Sequence, residues 1–301
     1  MKKIIALALL AFAGSSLAQN GYWQQDVAYT MNIDFDHENH QFKGSQTLVY
    51  TNNSPDVLHK VYYHLYFNAF QPGSMMDERS RDLPDPDKRV GDRISKLKKN
   101  EVGSHRILSL TQNRKSVNVE VIGTVAKVQL AEPIQPGATA TFEMTFESQV
   151  PVQIRRSGRN NKEGIDYTMT QWYPKMAEYD TDGWHPDQYV GREFYAPYGT
   201  FDVTINIHKD FTLGGTGVLI NAEELGYGYF DGKVKKQKSK MRSWNFKAEN
   251  VHDFAWAADK DYTHRSFQVE NGPMVHLLYS EKTANVKNWD QLDEYVIKYF
   301  Q

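Results

Sequence analysis

Hydrophobic and polar residues alternate strictly over residues 201–208. The apolar members, which would share one face of a strand, are Phe201, Val203, Ile205 and Ile207. The polar members, on the opposite face, are Asp202, Thr204, Asn206 and His208. A period of two residues is typical of a strand with one buried face and one solvated face.

Other short segments show similar patterns and are separated by turn-forming residues. Further strands are predicted at residues 46–51, 61–67, 117–121, 139–148, 244–246, 251–256 and 273–279. Turns are indicated between some of them, at Asn52-Asn53-Ser54-Pro55 and at Gln135-Pro136-Gly137. Short strands with such spacing favour a mainly β fold, an antiparallel multi-stranded β-sandwich or saddle-like curved sheet.

Two charged segments interrupt the strand pattern. Residues 71–105 are predicted to form a helix-and-loop insertion at the surface. Its basic run at Lys96, Lys98 and Lys99 is accompanied by acidic residues, which favours a solvated surface over a basic binding patch. Residues 227–240 are predicted to form the lysine-rich tip of a hairpin.

The hydrophobic period becomes helical near the end of the chain. Asn288 and Gln291 resemble a capping box at the start of a helix. The apolar residues that follow fall on one helical face: Leu292, Tyr295, Val296, Tyr299 and Phe300. An exposed face of this kind would need a partner surface to cover it.

The first 18 residues are predicted to be a secretory signal peptide. Lys2 and Lys3 precede an apolar run, and Ser16-Leu17-Ala18 provides small residues for cleavage. The alternative, a membrane anchor, is disfavoured because the apolar run is too short to span a bilayer. The mature protein is therefore expected to be exported, periplasmic or secreted, with no membrane span after cleavage.

Composition narrows the possible partners. There is no cysteine, so disulfides cannot stabilise the fold. Removal of the two lysines of the signal peptide changes the formal charge from −2 to −4. A nearly neutral chain gives no indication of nucleic acid or of an anionic surface as partner. The 18 tyrosines fit a β-rich fold and, alternatively, an aromatic-lined ligand surface.

A long loop at residues 177–200 precedes the alternating strand. Its large aromatic residues include Trp184, Tyr189, Phe194, Tyr195 and Tyr198. Loops of this length tend to be functional or disordered, and this much apolar surface disfavours disorder.

Several segments in and around this loop resemble the N-terminal domain of aminopeptidase N-like (gluzincin) zinc metallopeptidases. They are Glu163-Gly164-Ile165-Asp166-Tyr167, Thr170-Gln171-Trp172-Tyr173-Pro174, Gly199-Thr200-Phe201-Asp202-Val203-Thr204-Ile205, Gly214-Gly215-Thr216-Gly217 and Val251-His252-Asp253-Phe254-Ala255-Trp256. The resemblance implies an N-terminal β domain over residues 19–282. It further implies that residues 283–301 begin a truncated catalytic domain, so that the chain is a fragment ending before the zinc-binding motif.

Zinc catalysis in this family requires H-E-x-x-H, in which two histidines bind the metal and the glutamate is the general base. The 301-residue sequence lacks this motif and also the family's Gly-x-Met-Glu-Asn segment. His37-Glu38-Asn39-His40 has a different spacing and is predicted to form a polar turn. We therefore assign no catalytic or metal-binding residue here, expect zinc only in the full-length protein, and predict that the chain alone is inactive.

The resemblance does imply candidate substrate-binding residues. In the family, the loop after Thr-Gln reaches the active-site cleft, and a Glu or Gln binds the amino terminus of the peptide. Gln171 matches the family, Tyr173 stands at the amine-binding position, and Glu178 is a further carboxylate in this segment. A carboxylate would accept hydrogen bonds from an ammonium, whereas a phenol brings no charge. Alternatively, Gln171 and Tyr173 are buried and only fix the loop.

Two functions remain open at this stage. The first is the non-catalytic N-terminal domain of an exported zinc aminopeptidase, with a peptide substrate and the missing catalytic domain as partners. The alternative is a stand-alone secreted β-sandwich module that binds peptide or carbohydrate through the aromatic loop.

Overall fold

The computed structural model describes residues 22–83, 88–280, 289 and 291–300. The predicted signal peptide, residues 1–18, lies outside the described residues, as does most of the segment before the C-terminal helix. The helices are α1 (Met75–Asp82), α2 (Ala222–Leu225) and α3 (Leu292–Phe300), with 3₁₀ turns at Tyr66–Ala69 and Ile94–Lys96. Among the described residues, no helix has the length and apolar character needed to cross a bilayer.

The fold is mainly β, as predicted. The strands of the first half are β1 (Asp26–Asp36), β2 (Gln41–Thr51), β3 (Leu58–His64), β4 (Ser104–Gln112), β5 (Lys115–Ser116), β6 (Asn118–Ile122), β7 (Val125–Ile134), β8 (Thr139–Gln149), β9 (Gly158–Arg159) and β10 (Tyr167–Met169). Those of the second half are β11 (Lys175–Met176), β12 (Tyr179–Asp180), β13 (Gly183–Trp184), β14 (Gly199–His208), β15 (Thr212–Gly215), β16 (Val218–Leu219), β17 (Met241–Val251), β18 (Trp256–Asp259), β19 (Tyr262–Gln268) and β20 (Met274–Ser280).

An eight-stranded sheet of order β16-β17-β14-β1-β2-β8-β4-β5 dominates the molecule. Its pairs are antiparallel except β1 with β14, which run parallel from Val27 opposite Gly199 to Asp34 opposite Asn206. The polar turn predicted at residues 37–40 joins β1 to β2. The strictly alternating segment thus forms a central strand of this sheet.

One face of the large sheet is buried against two four-stranded sheets, of order β11-β3-β7-β6 and β15-β18-β10-β9. All three sheets contribute to a single apolar cluster, in which Trp172, Trp244 and Phe146 are almost completely buried. The four apolar residues of β14 lie in this cluster, as the alternation predicted. Their polar neighbours line the opposite, open face, where Asn206 Nδ2 donates to Asn32 Oδ1 at 3.1 Å.

The charged insertion at residues 71–105 has the predicted helix and loop. It also has a small apolar core of its own, in which Met76, Val90 and Ile94 pack with Ile154 and Tyr189. Lys96 pairs with Asp92 at 2.5 Å on the exposed side. The aromatic loop is thus partly committed to packing, because Tyr189 belongs to this second core.

Three sequence predictions need correction. The segment 227–240 forms no hairpin but an irregular connection between α2 and β17. The predicted strand at 251–256 is interrupted, because the Asp253 side chain accepts from the Phe254 backbone N–H at 2.8 Å instead of leaving that N–H for a ladder. The strand predicted at 61–67 ends at His64, where a 3₁₀ turn begins shortly afterwards.

The C-terminal helix α3 lies next to the hairpin of β19 and β20. The Trp289 ring stacks on Tyr279 with centroids 4.8 Å apart, and Arg265 forms an ion pair with Asp293. The distal part of α3 remains exposed, with Tyr299 85% accessible. The predicted helix is therefore confirmed, with contacts in its first turn.

Candidate substrate-binding loop

Two of the five segments that resemble the peptidase family, residues 170–174 and 251–256, meet in space. After β10, the chain makes an irregular turn at Gln171, whose φ of +47° is uncommon for a residue with a side chain. Gln171 Nε2 lies 3.3 Å from Asp253 Oδ2 on the segment that joins β17 to β18. The left-handed conformation therefore coincides with a contact between two parts of the chain that are distant in sequence.

Tyr173 is fully buried beside Gln171. Its hydroxyl donates to Asp253 Oδ1 at 2.9 Å, and its ring packs edge-on against Tyr29 at 5.5 Å. Burial, together with the nearby Asp253 carboxylate, raises the pKa of Tyr173 well above its ordinary value. Tyr173 is thus a neutral hydrogen-bond donor whose proton is already engaged.

Lys175 is a site residue that the sequence did not single out. Its ammonium is 3.3 Å from Asp253 Oδ2 and donates to the His252 carbonyl at 2.9 Å, although only 1% of the residue is exposed. Burial lowers the pKa of Lys175, and the Asp253 carboxylate opposes that shift. A buried ion pair of this kind needs such additional hydrogen bonds to offset desolvation.

Asp253 is the centre of this arrangement. Its carboxylate accepts from Gln171, Tyr173 and Lys175 and from the backbone N–H of Phe254. Its segment was recognisable in the sequence only as a family landmark, with no role attached. The partner residues lie about 80 positions earlier, so no local spacing could have indicated the contact.

Glu178 lies further along the loop and is 5% exposed. The Tyr179 backbone N–H donates to its Oε1 at 3.2 Å, and no hydrogen bond links its side chain to the Asp253 cluster among the described residues. Burial raises the pKa of Glu178 to about 7, opposed mainly by that backbone hydrogen bond. Of the three predicted site residues, Gln171 and Tyr173 are brought together, and Glu178 is a separate carboxyl that is poised to change charge near neutral pH.

A second polar group lies close to Glu178. His185 Nε2 is 2.7 Å from Asp180 Oδ1, and the Tyr195 hydroxyl donates to Asp180 Oδ2 at 3.0 Å. Burial alone would raise the pKa of Asp180, but hydrogen bonds from His185, Tyr195 and a backbone amide lower it overall. The His185 backbone N–H donates to the Glu178 carbonyl at 3.0 Å and so connects the two groups.

The donor set does not fit a catalytic zinc. Among the described residues, no three histidine, aspartate or glutamate side chains converge as metal ligands. Three protein ligands are the usual minimum for such a site. The described side chains of the loop can position a ligand and supply hydrogen bonds or charge.

A separate concave feature is a cavity of about 670 Å³ at one end of β1, β2, β8 and β4. Its lining combines polar side chains with apolar ones, such as Phe35 and Phe42, and some of the polar groups pair with one another. Arg106 forms an ion pair with Glu147, and Gln149 Nε2 donates to the Lys99 carbonyl at 2.9 Å.

Comparison with known proteins gave matches only among solved structures. No protein-family model and no curated protein matches the chain. The similar structures are an M1 zinc metallopeptidase from Deinococcus radiodurans (12% identity, TM-score 0.45, 87% of this chain and 48% of that one) and a mutant M1 zinc metallopeptidase from the same organism bound to a Tyr-Ser-Ala substrate (13%, 0.47, 86% and 48%). Another is a two-domain M1 zinc metallopeptidase mutant bound to L-tryptophan (13%, 0.46, 85% and 48%). The chain spans about half the length of these proteins, and these values do not place it in their family.

Proposed function

We propose that this chain is the non-catalytic N-terminal β domain of an exported zinc-dependent aminopeptidase that hydrolyses N-terminal residues from peptides. The observation that carries the proposal is the contact of Gln171 and Tyr173 with Asp253. It joins two segments that resemble the family and that lie 80 residues apart in sequence. Zinc and the general base would come from a catalytic domain outside these 301 residues.

In this proposal the loop forms one wall of the peptide cleft. Gln171 and Tyr173 fix the loop, because their polar groups are committed to Asp253. Glu178 is then the better candidate for the amine-binding role, since its carboxyl has no side-chain partner among the described residues and gains charge near neutral pH. An ammonium close to this carboxyl would favour its ionised form.

The first experiment measures the size of the native product in extracts of the source cells, with an antibody against residues 19–301. A species much heavier than 34.7 kDa, with zinc and aminopeptidase activity, is expected. In that species Glu178→Gln should raise KM for a peptide with a free amino terminus. The matched variant Glu143→Gln, on the open face of the sheet, should leave KM unchanged. A native product of the predicted mature size without activity would contradict the proposal.

One observation favours the alternative, a stand-alone secreted binding module for peptide or carbohydrate. The cavity of about 670 Å³ at one end of β1, β2, β8 and β4 has the size of a small-ligand site. The aromatic loop is the weaker platform, because Tyr189 is 97% buried in the second core. If the native product has the predicted mature size, binding of peptides and oligosaccharides should be measured for the chain and for its Lys43→Ala variant.

A further inference from the structure

The segment between α2 and the middle of β17 carries a concentration of positive charge. Residues 232–248 contain seven cationic residues and no aspartate or glutamate. These seven residues, which we term the basic edge, are Lys233, Lys235, Lys236, Lys238, Lys240, Arg242 and Lys247. All six lysines are exposed.

Most of these charges have no acidic partner. Among the described residues, only Lys247 of the basic edge lies within ion-pair distance of a carboxylate, 3.8 Å from Glu249. In the lysine run at residues 96–99, Lys96 pairs with Asp92, and the carboxylate of Glu101 lies beside Lys98, where it accepts from the Lys98 backbone N–H. The positive charge of the basic edge therefore remains available to an external anion.

The irregular segment that carries the lysines is held by its backbone, by Gln237 and by the Arg242 guanidinium, which donates to the Ser239 carbonyl at 2.6 Å. Gln237 Nε2 donates to the Glu224 carbonyl at 2.8 Å, and the Lys209 backbone N–H donates to the Lys240 carbonyl at 2.7 Å. Val234 is half-buried, whereas the lysines on either side of it are exposed. The chain thus presents the ammonium groups outward without using them for its own structure.

Cations and apolar side chains lie together on this surface. A shallow cavity of about 570 Å³ is lined by cations, among them Lys209, Lys236 and Arg242, by the apolar Tyr227 and Val234, and by one carboxylate, Glu224. The four acidic residues beside the basic edge, at positions 223, 224, 231 and 249, are fewer than its seven cations. This mixture suits an anionic group that is attached to an apolar one.

The adjacent edge of the large sheet adds exposed apolar residues. β16 is the terminal strand of the sheet, and Val218 on this strand is 67% exposed directly across from Lys247. Ile220, which follows it, is 54% exposed. Apolar side chains flanked by lysines are the combination by which peripheral proteins enter the interface of a bilayer.

We propose that the basic edge docks this protein onto the surface of a membrane that contains anionic phospholipids. Lysine ammonium groups on an irregular segment act as point charges toward a diffuse anionic surface, for which no fixed bidentate geometry is needed. A single-stranded nucleic acid is the less suitable partner, because Tyr227, the aromatic residue that lines the cavity, already packs its ring against Trp244 with centroids 5.0 Å apart. The low net charge of the whole chain is a sum and therefore does not reveal this local concentration of positive charge.

The test is co-sedimentation of the full chain with vesicles of phosphatidylcholine alone and with about 30% phosphatidylglycerol. The charge variant is Lys235→Gln, Lys236→Gln and Lys238→Gln in one chain. The matched control, Lys96→Gln, Lys98→Gln and Lys99→Gln, removes the same charge from the other lysine run. Equal thermal unfolding midpoints for the three proteins establish that each is folded.

Binding only to the anionic vesicles is expected, weakening as salt rises from about 0.05 to 0.5 M. The charge variant should lose about a hundredfold in partition coefficient, from three lysines near an anionic surface, and the control less than about threefold. Equal losses in the two variants, or equal binding to neutral vesicles, would overturn the proposal. If inorganic phosphate displaces the chain from labelled anionic vesicles as effectively as unlabelled vesicles do, the site binds free phosphate instead. Tighter binding of single-stranded RNA than of vesicles would also overturn the proposal.

Discussion

The hydroxyl of the buried Tyr173 donates a 2.9 Å hydrogen bond to Oδ1 of Asp253, a half-buried carboxylate where the loop meets the end of β17. The same carboxylate lies 3.3 Å from the buried Lys175 ammonium. Hydrogen bonds to a charged acceptor are stronger than those between neutral groups, and their loss in the interior leaves a poorly solvated charge. The conformation of the candidate loop should therefore depend on this carboxylate.

Tyr173→Phe should destabilise the fold by about 1–3 kcal/mol, because it removes one donor from the Asp253 carboxylate. Urea unfolding measures the change. Tyr63→Phe is the matched control, since the Tyr63 hydroxyl is equally buried but has no hydrogen-bond partner among the described residues. Removal of the Tyr63 hydroxyl should leave the free energy of unfolding unchanged or raise it. Equal losses of unfolding free energy in the two variants would show that the hydrogen bond to Asp253 does not stabilise the fold.

Lys175→Met should destabilise the fold by about 3–5 kcal/mol, because it leaves the Asp253 charge without its cation. Lys209→Met is the control, since Lys209 pairs with Asp210 at 2.8 Å on the exposed surface and should cost less than about 1 kcal/mol. The double variant Lys175→Met/Asp253→Asn should recover part of the loss in a double-mutant cycle. Additive losses would contradict a direct coupling of the two residues.

Glu178 should make the folded state less stable as pH rises from about 4.5 to about 7. Burial raises the pKa of Glu178 from 4.5 to about 7 on folding, so the folded state binds more protons than the unfolded state in this window. Its contribution to the free energy of unfolding is therefore fully present below pH 4.5 and is lost through pH 7. Glu178→Gln should remove this component from the pH dependence of urea unfolding. If the free energy of unfolding of Glu178→Gln changes with pH as steeply as that of Glu143→Gln, the prediction is wrong.

His105 should produce the opposite dependence on the acid side. Burial lowers the pKa of His105 from 6.5 to about 3, and its Nδ1 lies 2.6 Å from the Ser148 hydroxyl. The unfolded state takes up a proton below pH 6.5, while the folded state does so only near pH 3. Stability should fall by roughly 3 kcal/mol between pH 6.5 and 4 from this group.

His105→Phe retains a ring beside Phe67, which stacks on His105 at 4.5 Å, but cannot be protonated. Its unfolding free energy should depend less steeply on pH between 4 and 6.5. Ser148→Ala distinguishes the effect of the His105–Ser148 hydrogen bond from that of His105 protonation. This variant should be less stable at every pH but should keep the pH dependence of the wild type. Parallel profiles for the wild type and His105→Phe would exclude this role.

Local patterns predicted fewer than half of the twenty strands in the described residues, namely β2, β3, β6, β8, β14, β17 and β20. The alternation in β14 and β8 was sufficient because the two faces of a strand meet different environments, core and solvent. The same reasoning failed at residues 251–256, where the apolar pattern continues but Asp253 bonds to the backbone and interrupts the ladder. A side chain that competes with the sheet for hydrogen bonds is not visible in a hydrophobic pattern.

Contacts between distant segments could not be predicted in the same way. Gln171 and Tyr173 were identified through a resemblance, whereas Lys175 gave no signal before its 3.3 Å approach to Asp253 was known. The basic edge was visible as a lysine-rich sequence, but the net charge of the chain gave no indication of it. Whether a lysine has an acidic neighbour depends on the fold, as the contrast with Lys96 demonstrates.

The parallel pairing of β1 with β14 has a consequence for synthesis of the protein. Residues 37–198 all lie between these adjacent strands, so the centre of the large sheet cannot close until the second strand has left the ribosome. Until then, β1 exposes an unpaired edge on which a strand of another chain could assemble. So long a sequence separation slows folding, and the nascent domain should depend on chaperones until residue 208 becomes available.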